Sequence, residues 1–292
     1  MAVFEFKVEV ALGAVPAIED LLAEREERNL MVVEDKPSGR AWLTGYHESQ
    51  IDAQAAWRGF APLLDPEWLA TEPELNELAD KDWKESYKEH FKAWKFGRLH
   101  WVPVWERETF HLPPGEEVLW LDPGMAFGTG NHETTRLVVE RLVKLAAERG
   151  VGGAVIDAGC GSGILALSAV KLGYSRVVAF DNDPLAVDVS RENAELNGLA
   201  GKVDFYVGDL VTGLAGRQAG LVMANIQADV LTKFAAQLLA AVAPGGALVL
   251  SGILAAELAQ VREAFVTLAP GWKPDVRTLG EWSELTLARM GS

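Results

Sequence analysis

A glycine-rich turn between an apolar strand and a helix constrains the fold of this chain more than any other feature. The turn lies in the run Val155-Ile156-Asp157-Ala158-Gly159-Cys160-Gly161-Ser162-Gly163, which leads into a helical pattern over residues 164–172. Glycines tolerate positive φ and let the backbone approach a ligand closely. In parallel sheets the ligand lies beyond the carboxyl ends of the strands, where the strand order reverses. The run therefore predicts a ligand-binding crossover in an α/β fold.

Short apolar runs alternate with helical patterns around this turn. The predicted strands cover residues 118–121, 154–157, 177–180, 203–207, 221–224 and 247–250. Helical patterns lie between them, over residues 134–149, 164–172 and 184–197. This alternation is typical of a parallel sheet with helices on both faces. Residues 272–290 indicate a hairpin around Gly280, which gives the sheet an antiparallel edge.

Residues 1–75 follow another pattern. Strands are predicted over residues 3–10, 30–34, 41–45 and 68–71, with helices over residues 17–27 and 51–64. The order βαββαβ is that of a ferredoxin-like α+β domain.

Aromatic and basic residues interleave in the next segment, residues 76–110, which we interpret as a helical linker ahead of a second domain at 111–292. Four aromatic residues fall at spacings of i, i+4, i+8 and i+11, and therefore share one helix face: Trp83, Tyr87, Phe91 and Trp94. We interpret this stripe as a packing face. Base stacking is the alternative, but acidic residues among the lysines weaken it.

The net charge of the chain argues against a nucleic-acid-binding protein. With 42 acidic and 27 basic residues, the formal net charge is −15, so phosphate backbones are repelled and extended nucleic-acid binding is not expected.

No stretch approaches the roughly 18 apolar residues of a membrane span, and the first residues lack a signal-peptide pattern, so we expect a cytoplasmic protein without membrane contact. Cys160 is the single cysteine, and no cluster has metal-ligand spacing, so we expect no metal site. We also expect a monomer.

Polar side chains end four consecutive predicted strands: Asp157, Asp181, Asp209 and Asn225. An acid before the turn formed by Gly159, Gly161 and Gly163 suits a cationic sulfonium ligand with an amino-acid tail, which points to S-adenosylmethionine. The second acid can accept both ribose hydroxyls, and the third can accept the adenine amino group. The amide can orient an acceptor nitrogen without trapping it as a cation. Each acid alone is more often a helix cap or turn residue, but four polar side chains on consecutive strand ends favour a binding site.

A nicotinamide site is the competing interpretation of the turn. Gly161, Gly163 and Ala166 fit the dinucleotide pattern, and Asp181 follows about twenty residues later. A pyrophosphate would meet the negative charge of Asp157, however. The methyl donor is therefore favoured.

Two further runs carry a resemblance to a known family. Asp122-Pro123-Gly124-Met125-Ala126-Phe127-Gly128-Thr129-Gly130, followed by His132-Glu133-Thr134-Thr135, resembles the signature of the PrmA family. Those enzymes methylate the eleventh protein of the large ribosomal subunit, with S-adenosylmethionine as donor. Residues 82–98, 157–165, 181–184, 192–198 and 224–226 are also similar, so that the resemblance runs from about residue 80 to the end.

The resemblance implies a Rossmann-like class I methyltransferase sheet in residues 111–292, joined by a flexible linker to a ferredoxin-like domain that recognises the ribosomal protein. It also implies that four residues contact the cofactor: Thr135, Gly159, Asp181 and Asn225.

The acceptor is then a lysine or N-terminal amine. We expect Asn225 to orient it and the loop from Phe127 to Thr135 to close the site, with His132 as either a proton acceptor or a loop-stabilising residue. The alternatives are methylation of another protein lysine, methylation of a nucleic-acid adenine, and a non-catalytic S-adenosylmethionine-binding assembly factor.

Overall fold

The chain divides into two compact units, Met1–His90 and Phe91–Ser292. The computed structural model describes residues 3–24, 30–35, 39–47, 49–78, 93–122 and 133–290. Within these ranges no helix is both long and apolar enough to cross a bilayer.

The first unit is a four-stranded antiparallel sheet packed against two helices. Its elements are β1 (Val3–Val10), α1 (Val15–Glu24), β2 (Leu30–Asp35), β3 (Arg40–His47), α2 (Gln50–Phe60) and β4 (Glu74–Leu78). The strand order β2-β3-β1-β4, with every neighbouring pair antiparallel, is the ferredoxin-like arrangement, so this prediction is confirmed. Alternate residues of β1 face the core, because side chains alternate across a strand: Phe6, Val8 and Val10 are buried.

The last strand of this unit was predicted at residues 68–71, and that prediction is wrong. Pro66–Trp68 forms a 3-10 turn, with Asp65 accepting a hydrogen bond from the Glu67 N–H, and Leu69 makes only an isolated bridge to Val10. The strand that pairs with β1 is β4, a few residues later.

The second unit contains a seven-stranded sheet, formed by β8 (Val155–Ala158), β9 (Val177–Asp181), β10 (Val203–Val207), β11 (Ala219–Asn225), β12 (Val242–Leu254), β13 (Lys273–Leu279) and β14 (Trp282–Ala288). The strand order in this sheet is β10-β9-β8-β11-β12-β14-β13. The helices are α3 (Glu133–Arg149), α4 (Ile164–Lys171), α5 (Pro184–Leu196), α6 (Ala228–Lys233), α7 (Ala235–Ala240) and α8 (Leu258–Leu268).

Strands β8 to β12 are parallel, and two separate apolar clusters form the core of this unit. The predicted α/β sheet is therefore confirmed. Strand β8 lies between β9 and β11, so the chain proceeds outward from β8 first to one side and then to the other. The carboxyl end of β8 is the switch point at which such sheets bind ligands.

The predicted C-terminal hairpin is also confirmed, with Gly280 in its turn at a φ of 61°. Its second strand, β14, lies antiparallel between β12 and β13. The antiparallel strand is thus inside the sheet, and the edge strand β13 runs in the same direction as β12.

Residues 118–121 were predicted as part of the parallel sheet, and this is wrong. They lie in β7 (Glu117–Leu121), which forms a separate three-stranded sheet with β5 (Trp94–Phe96) and β6 (Leu99–Pro103). Strand β7 pairs in parallel with β6, and not with a strand of the seven-stranded sheet. Trp101 of β6 is fully buried in the core beside the large sheet, and its indole N–H donates to Ser168 Oγ of α4 at 2.9 Å.

The boundaries of the predicted linker, residues 76–110, need a correction for the same reason. Strands β5 and β6 belong to the folded second unit, because Phe96, Leu99 and Trp101 share its core. Trp94, predicted on a helix, lies on strand β5. The other three members of the aromatic stripe, Trp83, Tyr87 and Phe91, lie outside the described residues.

A buried cluster of charges joins α3 to the C-terminal hairpin. Arg141 is 3% exposed and donates through Nε to both carboxylate oxygens of Glu284, which is fully buried, at 3.0 and 3.1 Å. Arg141 Nη1 also donates to Asp275 Oδ2 at 2.6 Å, and Arg277 bridges to Glu140 of α3. Burial raises the pKa of Glu284, while Arg141 and Arg277 oppose that rise by favouring the carboxylate. Burial of the Glu284 carboxylate is therefore tolerated because Arg141 is paired with it.

We predict that Arg141→Ala lowers the free energy of unfolding by about 3 kcal/mol, because the buried carboxylate of Glu284 loses its hydrogen-bonded cation and keeps only the more distant Arg277. The control is Lys144→Ala, which removes an exposed cation from the same helix and should cost no more than about 0.5 kcal/mol. Urea unfolding at neutral pH measures both. Equal losses in the two variants would contradict the prediction.

Candidate active site

The structure brings the predicted strand-end residues to one edge of the large sheet. Asp157 lies at the end of β8, Asp181 closes β9, Asp209 follows β10, and Asn225 closes β11. These four strands are neighbours and parallel, so their carboxyl ends point to the same side. Thr135 reaches this edge from the first turn of α3, since Asn225 Nδ2 donates to Thr135 Oγ1 at 3.3 Å.

The turn after β8 requires its glycines. Gly159, Gly161 and Gly163 have φ values of 76°, 53° and 76°, a region that favours glycine. A Cβ on Gly159 would lie 2.5 Å from Ile226 Cγ2, and one on Gly163 would lie 2.9 Å from Ser190 Oγ. The backbone therefore passes close to Ile226, the residue after β11, and to α5, where no other residue fits without displacement.

Asp157 is a fully buried acid beneath this turn. Its Oδ2 accepts a hydrogen bond from the Ala166 N–H at 3.0 Å, whereas its Oδ1 has no hydrogen-bond partner among the described residues. Burial raises the pKa of Asp157 to about 7; the hydrogen bond from Ala166 opposes the rise, and the nearby charge of Asp181 adds to it. An unsatisfied carboxylate oxygen in this position is suited to a cationic partner.

Asp181 supports the same turn from the end of β9. Its Oδ2 accepts from the Gly161 N–H at 2.9 Å, and its Oδ1 accepts from the Asp183 N–H at 3.1 Å. Each carboxylate oxygen can accept a second hydrogen bond. Binding of ribose hydroxyls by Asp181 is compatible with this arrangement and stays a prediction.

Asp209 has a clear structural role. Its Oδ1 accepts from the backbone N–H groups of Val211 and Thr212, at 2.9 and 2.7 Å, and from the Thr212 hydroxyl at 2.8 Å. The hydrogen bonds from Thr212 and Val211 hold the pKa of Asp209 below its usual value. Asp209 thus forms the turn after β10, which leaves Oδ2 for the predicted adenine contact.

Two residues that sequence reasoning did not assign hold the glycine-rich turn from α5. Ser190 Oγ donates to the Gly161 carbonyl at 2.8 Å, and Asn193 Nδ2 donates to the Ser162 carbonyl at 2.9 Å. The only signal in the sequence is that Asn193 falls within residues 192–198, which resemble the family. Cys160 is buried beside Ser190, and burial raises the pKa of its thiol, which fits the packing role expected for it.

Phe127 and His132 lie outside the described residues, so their placement at the site stays a prediction.

The residues present fit S-adenosylmethionine better than a dinucleotide. Gly159 and Gly163 let the turn pass against Ile226 and Ser190, where a Cβ would clash, and the unsatisfied oxygen of Asp157 lies next to this turn. A sulfonium compound brings positive charge to that acid, whereas a pyrophosphate would bring more negative charge. Asp157, Asp181 and the turn would hold the donor.

We predict that Gly159→Ala weakens donor binding at least about tenfold, because the stiff β-branched Ile226 blocks the new methyl group and the turn must move. The control is Gly201→Ala, which has a similar φ of 71° with nothing within 4 Å of the new Cβ. The positive φ should cost both variants about 1–2 kcal/mol of unfolding free energy, and the clash with Ile226 adds to the loss in Gly159→Ala. Calorimetric titration with the donor separates them, and unchanged affinity in Gly159→Ala would refute the assignment of this contact.

Comparisons with known proteins identify the family. A sequence profile of the family described as Ribosomal protein L11 methyltransferase (PrmA) matches residues 10–290. A protein named ribosomal protein L11 methyltransferase from Geobacter metallireducens is 46% identical over 214 residues, covering 72% of this chain and 67% of the relative. A protein of the same name from Pseudomonas paraeruginosa is 41% identical over 230 residues, covering 77% and 74%.

The solved structure of a ribosomal protein L11 methylase from Lactobacillus delbrueckii subsp. bulgaricus has a TM-score of 0.59 and 30% identity to this chain. The superposition covers 68% of this chain and 100% of that one. Together with strand-end residues whose chemistry suits the methyl donor, these similarities make the chain an S-adenosylmethionine-dependent methyltransferase that belongs to the ribosomal protein L11 methyltransferase family.

Proposed function

We propose that this chain methylates ribosomal protein L11 at lysine side chains and the N-terminal amine. The observation that carries this proposal is the extent of the family match, from residue 10 to residue 290. It includes nearly all of the ferredoxin-like unit as well as the donor pocket. A match confined to the donor pocket would support methyl transfer alone, without this substrate.

Asn225 is the residue that orients the acceptor amine. Its Nδ2 is engaged by Thr135 Oγ1 at 3.3 Å, which directs Oδ1 of the same amide away from that contact and leaves it to accept a hydrogen bond from an amine N–H. The amide is neutral, so it aligns the nitrogen without stabilising the ammonium form, as a carboxylate would.

Deprotonation of the acceptor is the main chemical requirement at Asn225. A lysine has an unperturbed pKa of about 10.4, and the nitrogen must lose its proton before it can attack. Removal of water around the amine lowers that pKa, because the charged form loses its solvation. We assign the wall that excludes water to the loop containing Phe127, and we assign to His132 either proton acceptance or support of that loop.

The remaining roles follow from the donor side of the pocket. When bound, S-adenosylmethionine would supply an electrophilic methyl group to the acceptor nitrogen, with the demethylated sulfur compound as the leaving group. The turn formed by Gly159, Gly161 and Gly163 would hold it, Asp181 would accept from the ribose, and Asp209 would accept from the adenine amino group. The protein contributes alignment and exclusion of water.

Residues 1–75 are proposed to recognise the ribosomal protein, and the segment after them to connect recognition with transfer. We further propose that the protein acts as a monomer in the cytoplasm.

Methylation of a nucleic-acid adenine is the second enzymatic candidate. Enzymes of that kind commonly follow the strand-end Asn with Pro-Pro and an aromatic residue for base stacking, whereas Asn225 is followed by Ile226-Gln227-Ala228. The net charge of −15 also opposes nucleic-acid binding. A non-catalytic donor-binding factor is the third candidate, and turnover distinguishes it.

We predict that labelled donor and a methyl-poor ribosomal extract give label in one small protein band that comigrates with L11. Label in RNA would favour the second candidate, and no label the third. Asn225→Ala should lower kcat about a hundredfold, since the acceptor is no longer aligned, while the donor Kd changes less than about threefold.

The control is Gln218→Ala, an exposed amide at the other end of β11, which should leave kcat unchanged. A kcat for Asn225→Ala within about threefold of the original protein would refute the orienting role.

A further inference from the structure

The carboxylate of Asp157 has no cation beside it in the described part of the chain. In the sheet, Asp157 lies in register with Ala179 of β9 and Met223 of β11, both apolar. Helix α4 offers only the Ala166 backbone N–H at 3.0 Å. The titratable groups that face Asp157 are the carboxylate of Asp181, at the end of β9, and the Cys160 thiol in the turn. The Asp181 carboxylate carries the same negative charge as Asp157, and the Cys160 thiol is neutral.

An acid in these surroundings is poised between its two protonation states. Complete burial disfavours the carboxylate, and the pKa of Asp157 is raised to about 7. Its unsatisfied Oδ1 gives a structural reason for the same conclusion, because no described donor satisfies the charged form at that oxygen. Asp157 therefore responds to any charge that enters or leaves the pocket.

Methyl transfer changes the charge of the ligand in this pocket. The donor carries a sulfonium, an ammonium and a carboxylate, a net charge of about +1, and the demethylated product has lost the sulfonium charge. A buried acid interacts with that difference more strongly than an exposed acid, because solvent screens it less.

We propose that Asp157 discriminates the charged donor from the neutral product, releasing a proton when the donor binds and regaining one when only the product remains. This inference rests on the donor pocket proposed above and requires nothing of the protein substrate. It gives the pocket a means of favouring fresh donor over spent product at the same position.

The direction of the pH dependence follows from linkage. Below pH 7 Asp157 is mostly protonated and must lose its proton to meet the donor, so donor affinity rises with pH and levels off above that value. If Asp157 is fully ionised in the donor complex, the donor Kd falls about tenfold between about pH 6 and about pH 8. The product Kd should change less than about twofold.

Asp157→Asn isolates this effect. The amide keeps an oxygen for the Ala166 N–H but cannot ionise. The amino group of the ligand titrates near pH 8, but it does so equally in both proteins, so the comparison removes its contribution. A matched control is Asp204→Asn, an exposed acid on β10 outside the turn, which should behave like the original protein.

The experiment is calorimetric titration of donor and demethylated product into the full chain, at several pH values and in two buffers of different ionisation enthalpy. We expect the original protein to release close to one proton per donor at pH 6 and almost none at pH 8. In Asp157→Asn the proton release and the tenfold pH dependence should disappear, and the preference for donor over product should fall.

A preference for donor over product that is independent of pH in the original protein would overturn the proposal. So would equal proton release in the Asp157→Asn variant. If Asp157→Asn fails to fold, proton release by the original protein still tests the proposal, because ionisation of Asp157 on donor binding requires that release. Failure of L11 methylation would leave these binding results unchanged, so the two proposals are tested separately.

Discussion

The glycine-rich turn and the first turn of α4 that follows it depend on hydrogen bonds to two carboxylates. Asp157 accepts the N–H of Ala166 at 3.0 Å, and Asp181 accepts the N–H of Gly161 at 2.9 Å. These are the two acids that the sequence places at the ends of the central strands. The groups that give the turn its shape are therefore also the groups that give the pocket its negative charge. A side chain that can neither accept these hydrogen bonds nor ionise would therefore alter both properties.

The acceptor side of the site depends on a more distant part of the chain. Thr135 meets Asn225 because α3 packs across the sheet toward the C-terminal hairpin, where Arg141 is paired with buried Glu284. The polar contact at the proposed acceptor site is thus supported by an ion pair six residues along the same helix. Such a pair favours one placement of α3, because a shift of the helix would leave the buried carboxylate of Glu284 without Arg141.

The sequence predicts the parts of this structure that local pattern determines. The strand ends at Asp181 and Asn225 follow from apolar runs, and the turn follows from glycines whose positive φ values only they adopt readily. The pairing between strands cannot be predicted from local pattern in the same way. The run at residues 118–121 is apolar enough for either sheet, and no neighbouring residue in the sequence indicates that it pairs with β6. Ser190 likewise looks like an ordinary helix residue, because its partner, the Gly161 carbonyl, is 29 positions away.

Charge is distributed so that the two halves of the reaction meet different surroundings. The proposed donor side presents Asp157 and Asp181, which favour a cation, and the proposed acceptor side presents the neutral pair Asn225 and Thr135. An acid in place of Asn225 would attract an amine but hold it as an unreactive ammonium. Over longer distances the net charge of −15 attracts basic partners, and salt screens that attraction beyond roughly 10 Å. Attraction at long range and neutrality at contact are thus compatible, and an amine acceptor needs both.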